Sequence, residues 1–424
     1  MKTKAVTSMV VYILFVQVLS AQTNKMEELK NLVNASFGHF PKIAEVDNSI
    51  LIAQEKLKLT ELNKQPDFTA DASYAYVKPK IELPLNGNKF QFAPVNNFNA
   101  ALNGNYTLLD FGRLKALIQQ SKNELTFAKH NKELVQHQLA YQVANIYYYS
   151  IYLKKAIAIQ DTILHTLAEN KQIIESQLKN GTALEIDLLS IQSNIDAEEN
   201  RKTEIGTLMR KQEILLEYAT GVRSIAGNSF ELVGEAVEFN RLLENNLELL
   251  VAQDKVEQAK QDVSIVSMKY RPVMGLRASM GTRNGYIPNI NDMRFNYLGG
   301  LSFSMPLYNG GKIKQQVKLQ EKLADQQTLA LESMRKTVEK DIYQSLEELK
   351  SAKERLSRSS SQIQVAKAAN KLAMSKLKNG TGTHLETTAA NTNLQRTLLN
   401  QLQLEFQVCN AQLEVARLTG KKFW

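Results

Sequence analysis

The sequence predicts an α+β chain, mostly α, built as a tandem repeat of helix, strand, strand, long helix and returning helix. Three observations carry that prediction. Residues 113–180 and 312–379 are two stretches of 68 residues that hold neither glycine nor proline. Short motifs recur at one spacing of 199 residues. Ahead of each long stretch lie two segments of about ten residues in which apolar and polar side chains alternate.

The chain begins with a segment that has the grammar of an export signal. Lys2 and Lys4 precede an apolar run over residues 5–18, and Leu19-Ser20-Ala21 supplies small residues before a cut near Ala21–Gln22. The segment 1–21 is therefore predicted to be a signal peptide. A single-span anchor is the alternative, but the run falls short of the ~20 residues a spanning helix needs. No cysteine directly follows the apolar run to accept a lipid.

The repeat is visible in four anchors at the same offset. SQLKNGT at 176–182 returns as SKLKNGT at 375–381, Ala53-Gln54 as Ala252-Gln253, Gly112-Arg113 as Gly311-Lys312, and Thr220-Gly221 as Thr419-Gly420. This divides the mature chain into a first repeat at 22–221, a linker at 222–238 and a second repeat at 239–424.

Each repeat opens on a helix and then turns to strands. Over about 68–78 and 98–108 in the first copy, and about 273–282 and 296–306 in the second, residues such as Phe68, Tyr74, Leu102, Met280 and Leu301 alternate with Thr69, Ser73, Asn103, Ser279 and Ser302. Period two marks a strand with one apolar and one polar face. The connections 78–97 and 282–296 are rich in Asn, Pro and Gly and read as loops.

The long stretches follow. In the first, Leu114, Leu117, Ile118, Leu125, Ala128, Val135, Leu139, Val143 and Ile146 recur at steps of three, four and seven, the spacing of packed helices. At 1.5 Å per residue each stretch makes a helix of ~100 Å. The cluster Tyr147-Tyr148-Tyr149 with Tyr152 is expected to pack against neighbouring helices. Each stretch stops at Asn-Gly-Thr, residues Asn180-Gly181-Thr182 and Asn379-Gly380-Thr381. Glycine there supplies the left-handed turn that ends a helix, and the threonine is expected to cap the next one. The same triplets match a glycosylation sequon, but a helical turn explains both copies better. The two hairpins are placed at 109–219 and 307–419.

Composition excludes several classes. A single cysteine, Cys409, rules out a disulfide scaffold, and the five histidines form no short-spaced ligand set. The formal charge of +9 is spread along the chain without a basic, aromatic patch, so no nucleic-acid partner is expected. There is no phosphate-binding glycine loop and no nucleophile with a base beside it, so no enzyme and no cofactor are expected.

Four strands cannot close a barrel, and sheet edges left open in lipid leave backbone groups unsatisfied. Three copies supply twelve strands and twelve helical columns: a barrel continued by a helical tube. Here the chain resembles the TolC-like outer membrane efflux proteins along nearly its whole mature length. The carriers are the repeat, the order of elements, the tips at Gly181 and Gly380, and the strand-to-helix junctions. Those junctions read Leu108-Leu109-Asp110-Phe111-Gly112-Arg113 and Met305-Pro306-Leu307-Tyr308-Asn309-Gly310-Gly311-Lys312.

The resemblance implies a homotrimer with a 12-stranded β-barrel in the outer-membrane lipid and a long periplasmic α-helical coiled-coil barrel. It also implies a periplasmic adaptor (membrane fusion) protein and an inner-membrane transporter as partners, in efflux or type I secretion. Asp187 and Glu386, related by the same offset, match the acids that members of the family carry behind the hairpin, and imply a periplasmic gate. The further acid common one turn later is replaced here by Thr388, Ala389 and Ala390. The tips Asn180, Gly181, Thr182, Asn379, Gly380 and Thr381 are the expected adaptor contacts, with Lys179, Lys376 and Lys378 near enough to bridge the gate acids. A periplasmic coiled-coil structural or adaptor protein without a pore is the alternative, and the apolar strand faces weigh against it.

Overall fold

The computed structural model describes residues 27–85, 88–223, 225, 227–230, 243 and 245–424. The expected signal peptide and most of the expected linker lie outside the described residues. Helix α1 covers residues 27–39 and α2 Pro41–Leu62. Strand β1 is Asp67–Tyr76, β2 Glu82–Leu85, β3 Asn88–Gln91 and β4 Asn96–Leu109. Helices α3, Arg113–Lys179, and α4, Glu185–Thr220, complete the first copy. The second copy gives α5 at Leu247–Ser267, β5 at Val273–Arg283 and β6 at Arg294–Ser304, then α6 at Lys312–Lys378 and α7 at His384–Leu418. Helices α3 and α6 are 67 residues each and begin and end at positions 199 apart.

The connection over 78–97, expected to be a loop, holds the β2–β3 hairpin, in which Leu83 pairs with Phe90 and Leu85 with Asn88. Two four-residue strands are too short to show a period. The Asn86-Gly87 dipeptide between them is the sequence signal that favours such a turn. Helix α1 is a further element beyond those the sequence predicts. Its Leu29, Leu32 and Val33 are buried, so it is held by tertiary packing rather than by its own length.

The chain forms two compact units. One holds 48–129 and 251–332, and its centre is an antiparallel sheet in the order β1-β4-β5-β6. The β4–β5 ladder joins the two repeats, leaving β1 and β6 as edges. The register puts like faces together: Ala70, Leu102, Met280 and Tyr297 fall in one row, and Thr69, Asn103, Ser279 and Leu298 in the next. One face therefore carries Phe68, Tyr297, Leu301 and Phe303, all at least 64% exposed.

At the strand-to-helix junctions the backbone enters the left-handed region twice in succession. Gly310 and Gly311 do so in the second copy, at φ 63° and 76°, and Phe111 and Gly112 in the first, at 52° and 94°. Asp110 then accepts from the backbone N–H groups of Gly112 and Leu114, capping α3, and Arg271 donates to the Phe111 carbonyl.

The other unit holds 27–47, 130–250 and 333–424. Its core brings α1 against α3, α4 and α7 through Val33, Val143, Tyr148, Ile151, Leu216 and Leu413. Tyr147 and Tyr148 are buried in it, while Tyr149 stacks on Tyr152 beside Phe406, so the tyrosine cluster is packing. The carboxy-terminal Phe423 and Trp424 close over His137 and Phe37. Nearer the tips, Gln160, wholly buried, donates to Glu198, which also accepts from Gln395 at 2.7 Å. This buried polar layer ties α3, α4 and α7 into one register.

Candidate functional site

Both helical tips are built by the same local rule. At the end of α3, Gly181 takes φ 74°, its N–H reaches the Leu178 carbonyl and that of Thr182 reaches Gln177. At the end of α6, Gly380 takes φ 71°, with Gly380 bonded to Leu377 and Thr381 to Lys376. These are paired closures in which a left-handed glycine lets two backbone N–H groups turn back onto the last carbonyls. Asn180, Gly181, Thr182, Asn379, Gly380 and Thr381 are all exposed.

The threonines do not cap the returning helices as expected. The hydroxyls of Thr182 and Thr381 donate backward, to the Gln177 and Lys376 carbonyls. Two residues further on, the true caps are Leu184 for α4 and Thr383 for α7, both in extended backbone. The reason is hydrogen bonding: the paired closure commits both the N–H and the hydroxyl of the residue after the glycine to the outgoing helix.

Asp187 and Glu386 stand three residues after those caps and complete them. The Asp187 carboxylate accepts from the Leu184 N–H at 3.1 Å, and Glu386 accepts from the Thr383 N–H at 3.4 Å. Thr383 reciprocates, its hydroxyl accepting from the Glu386 N–H at 3.2 Å, while Leu184 has no side-chain acceptor to offer. The Thr383-x-x-Glu386 spacing is the sequence signal for this box. Among the described residues no ion pair joins either acid to Lys179, Lys376 or Lys378.

The fold brings the two tips of one chain together. Gln177 donates to the Leu377 carbonyl at 2.9 Å, and the Asp187 charge bears on His384 at the start of α7. His384 is buried, with its Nδ1 unpartnered and its Nε2 3.3 Å from the Thr388 hydroxyl. Burial pulls its pKa below the ordinary imidazole value, and Asp187 opposes that. Around the tips sit apolar side chains that sequence reading did not single out: Leu184, Ile186, Leu189 and Leu385 are 61–77% exposed. Their spacing is that of any amphipathic helix, and only the structure shows that none of the described residues covers them.

Cys409 is buried in the helical core, and burial pushes its thiol pKa far up. Among the described residues no set of side chains is placed to hold a metal ion, and no helix is long and apolar enough to cross a membrane.

A four-stranded antiparallel sheet with an exposed apolar face and two edge strands, together with two long helical hairpins, defines the class. The chain belongs to the outer membrane efflux protein family, whose model matches residues 38–222 and 239–421. It is 23% identical over 329 residues to Outer membrane protein TolC of Salmonella enteritidis. That match covers 68% of this chain and 64% of its relative's length. Its fold is similar to that of the outer membrane protein VceC of Vibrio cholerae, with a TM-score of 0.80 and 17% identity over 94% of this chain and 97% of that one. The Campylobacter jejuni CmeC outer membrane channel gives a TM-score of 0.80 and 16% identity, covering 94% and 86%.

Proposed function

We propose that this protein is the outer-membrane exit duct of a tripartite efflux or type I secretion system. In this reading three copies, each freed of a leader at 1–21, join their four-stranded sheets into a barrel. Substrate passes through it without covalent chemistry, received from a periplasmic adaptor and an inner-membrane pump. Repeats at 22–221 and 239–424, linked by 222–238, each supply two strands and one hairpin. The observation that carries the reading is the uncovered apolar sheet face, ending in the free edges β1 and β6. A coiled-coil spacer or adaptor without a pore has no use for such a face.

The hairpin tips are the proposed adaptor contacts. Exposed Leu184, Ile186 and Leu385 beside Asn180–Thr182 and Asn379–Thr381 give that contact apolar area to bury. Asp187 and Glu386 are the proposed gate: six carboxylates around one opening in a trimer would favour cations there. The test is insertion into a planar lipid bilayer. Discrete ion-conducting steps are expected from the full-length chain, and a protein that fractionates with soluble periplasmic contents and never conducts would end the reading.

A further inference from the structure

We propose that the outer rim of the sheet is an anion-binding subsite, formed on its polar face by Arg283, Arg294 and Asn296, which takes phosphate or carboxylate groups of a solute leaving the duct. This rests on the duct reading above.

The register makes the case. Strands β5 and β6 end away from the helices at Arg283 and Arg294, which pair directly across the ladder. Residues opposite one another in antiparallel strands hold their Cβ atoms about 5 Å apart, and like charges so placed repel. Arg283 and Arg294 share their face with Ser279 and Ser302 rather than with Phe295 and Tyr297, because side chains two apart along a strand point the same way. The next residues of the row, Asn99 on β4 and Ser73 on β1, are neutral. Lower on the same face Arg277 lies in the row of Asp67, and Asp71, which accepts from Asn103, lies across the sheet in the row of Asn296. The rim row itself carries two positive charges and no carboxylate. Among the described residues neither Arg283 nor Arg294 has a carboxylate partner.

The rim is also pre-formed. Asn284 is buried, donates to the Asn96 carbonyl and accepts from the Phe98 N–H, locking the β5–β6 turn onto β4. The Arg283 guanidinium lies 4.9 Å from the centre of the Tyr286 ring, and Arg294 donates to the Ile287 carbonyl at 3.3 Å. Neither contact neutralises charge, and both leave guanidinium N–H groups unused. A separate observation points to a ligand. Asn296, two residues along β6 from Arg294 on the same face, has a side-chain nitrogen shielded from solvent with no hydrogen-bond partner. Such a donor costs free energy unless something accepts from it. The N–H groups left over on two guanidinium forks, and an idle amide, are donors without an acceptor, and a phosphate or carboxylate oxygen meets that need. The apolar face points the other way, so a solute in the lumen reaches the site and a lipid headgroup does not.

The experiment is single-channel recording of the full-length protein in a neutral phosphatidylcholine bilayer, with inorganic pyrophosphate as the probe. Pyrophosphate added on the outer side should reduce conductance, and the Arg283→Gln, Arg294→Gln double variant should need at least about tenfold more. That variant should also shift the reversal potential in a salt gradient toward cations. The Arg283→Lys, Arg294→Lys variant should keep the parent's selectivity while losing most of the block, since an ammonium keeps the charge without the fork. A conducting parent that pyrophosphate leaves untouched overturns the proposal, the arginines then being neutralised within the assembly, for instance by β1 carboxylates of a neighbouring copy. So does a parent whose selectivity follows added anionic lipid and ignores pyrophosphate. A parent that never conducts fails the duct reading itself and takes this proposal with it.

Discussion

The Asp187 and Glu386 carboxylates each sit on the N–H of a helix cap, and that contact constrains any role they have at a pore mouth. An acid that accepts from a cap N–H is held in one orientation and favoured by the positive end of the helix. The single chain therefore gives both acids a structural use, and lumen charge would come on top of it. The Asp187→Asn, Glu386→Gln double variant keeps an acceptor at each cap. It is expected to lose at most about 1 kcal/mol per helix while lowering cation selectivity and raising resting conductance in a bilayer. Unchanged selectivity and conductance would assign both acids to capping alone.

His137 offers a second test at this scale. It is buried against Phe423 and Trp424, with Nε2 3.3 Å from the Lys421 carbonyl. Its pKa is lowered chiefly by burial, with Arg417 and Lys422 adding to the effect and the Lys421 carbonyl and Glu248 opposing it. A base whose folded pKa lies below its unfolded value binds fewer protons when folded. Stability at this site is then full above about pH 6.5 and declines as pH falls from there through the folded value. Thermal melting is expected to drop on acidification through that window, and His137→Gln should flatten the drop.

At the scale of the element, the hairpins are the most regular feature of the chain. Each pairs a 67-residue outgoing helix with a return of 36 or 35 residues, and each turns on one glycine with positive φ. Gly181→Pro or Gly380→Pro removes an N–H that bonds the preceding helix and forces φ to about −65°. The tip should open while the sheet, built from other residues, keeps its pairing. Export is expected to be abolished with assembly intact. Cross-linking from a cysteine placed at Thr182 or Thr381 should capture the adaptor from the parent and not from the proline variants. Capture at the β2–β3 end instead would reverse the orientation proposed here.

For the whole molecule, the free edges β1 and β6 and the exposed apolar face cannot persist alone in a bilayer, where unpaired backbone groups cost several kcal/mol each. Light scattering in mild detergent is expected to give three times the chain mass of 47.8 kDa, less the leader. A stable soluble monomer would exclude the barrel.

What the sequence by itself determined is whatever depends on neighbours along the chain. The absence of glycine and proline over 113–180 and 312–379 marks α3 and α6 almost to the residue, because a helix runs until something stops it. Alternation over 98–108 and its counterparts assigns each strand an apolar face, because a strand's side chains must alternate. Local spacing also holds the Thr383-x-x-Glu386 cap, but the expected cap is the threonine of the Asn-Gly-Thr tip, which the structure turns back onto the outgoing helix. The tertiary structure alone decided what depends on residues far apart. Examples are the β4–β5 ladder that joins the repeats, Asp187 beside His384, Glu198 between Gln160 and Gln395, and Arg283 opposite Arg294. Register and packing partner are selected by burial of whole faces against one another, and a period of two or of 3.6 residues leaves that choice open.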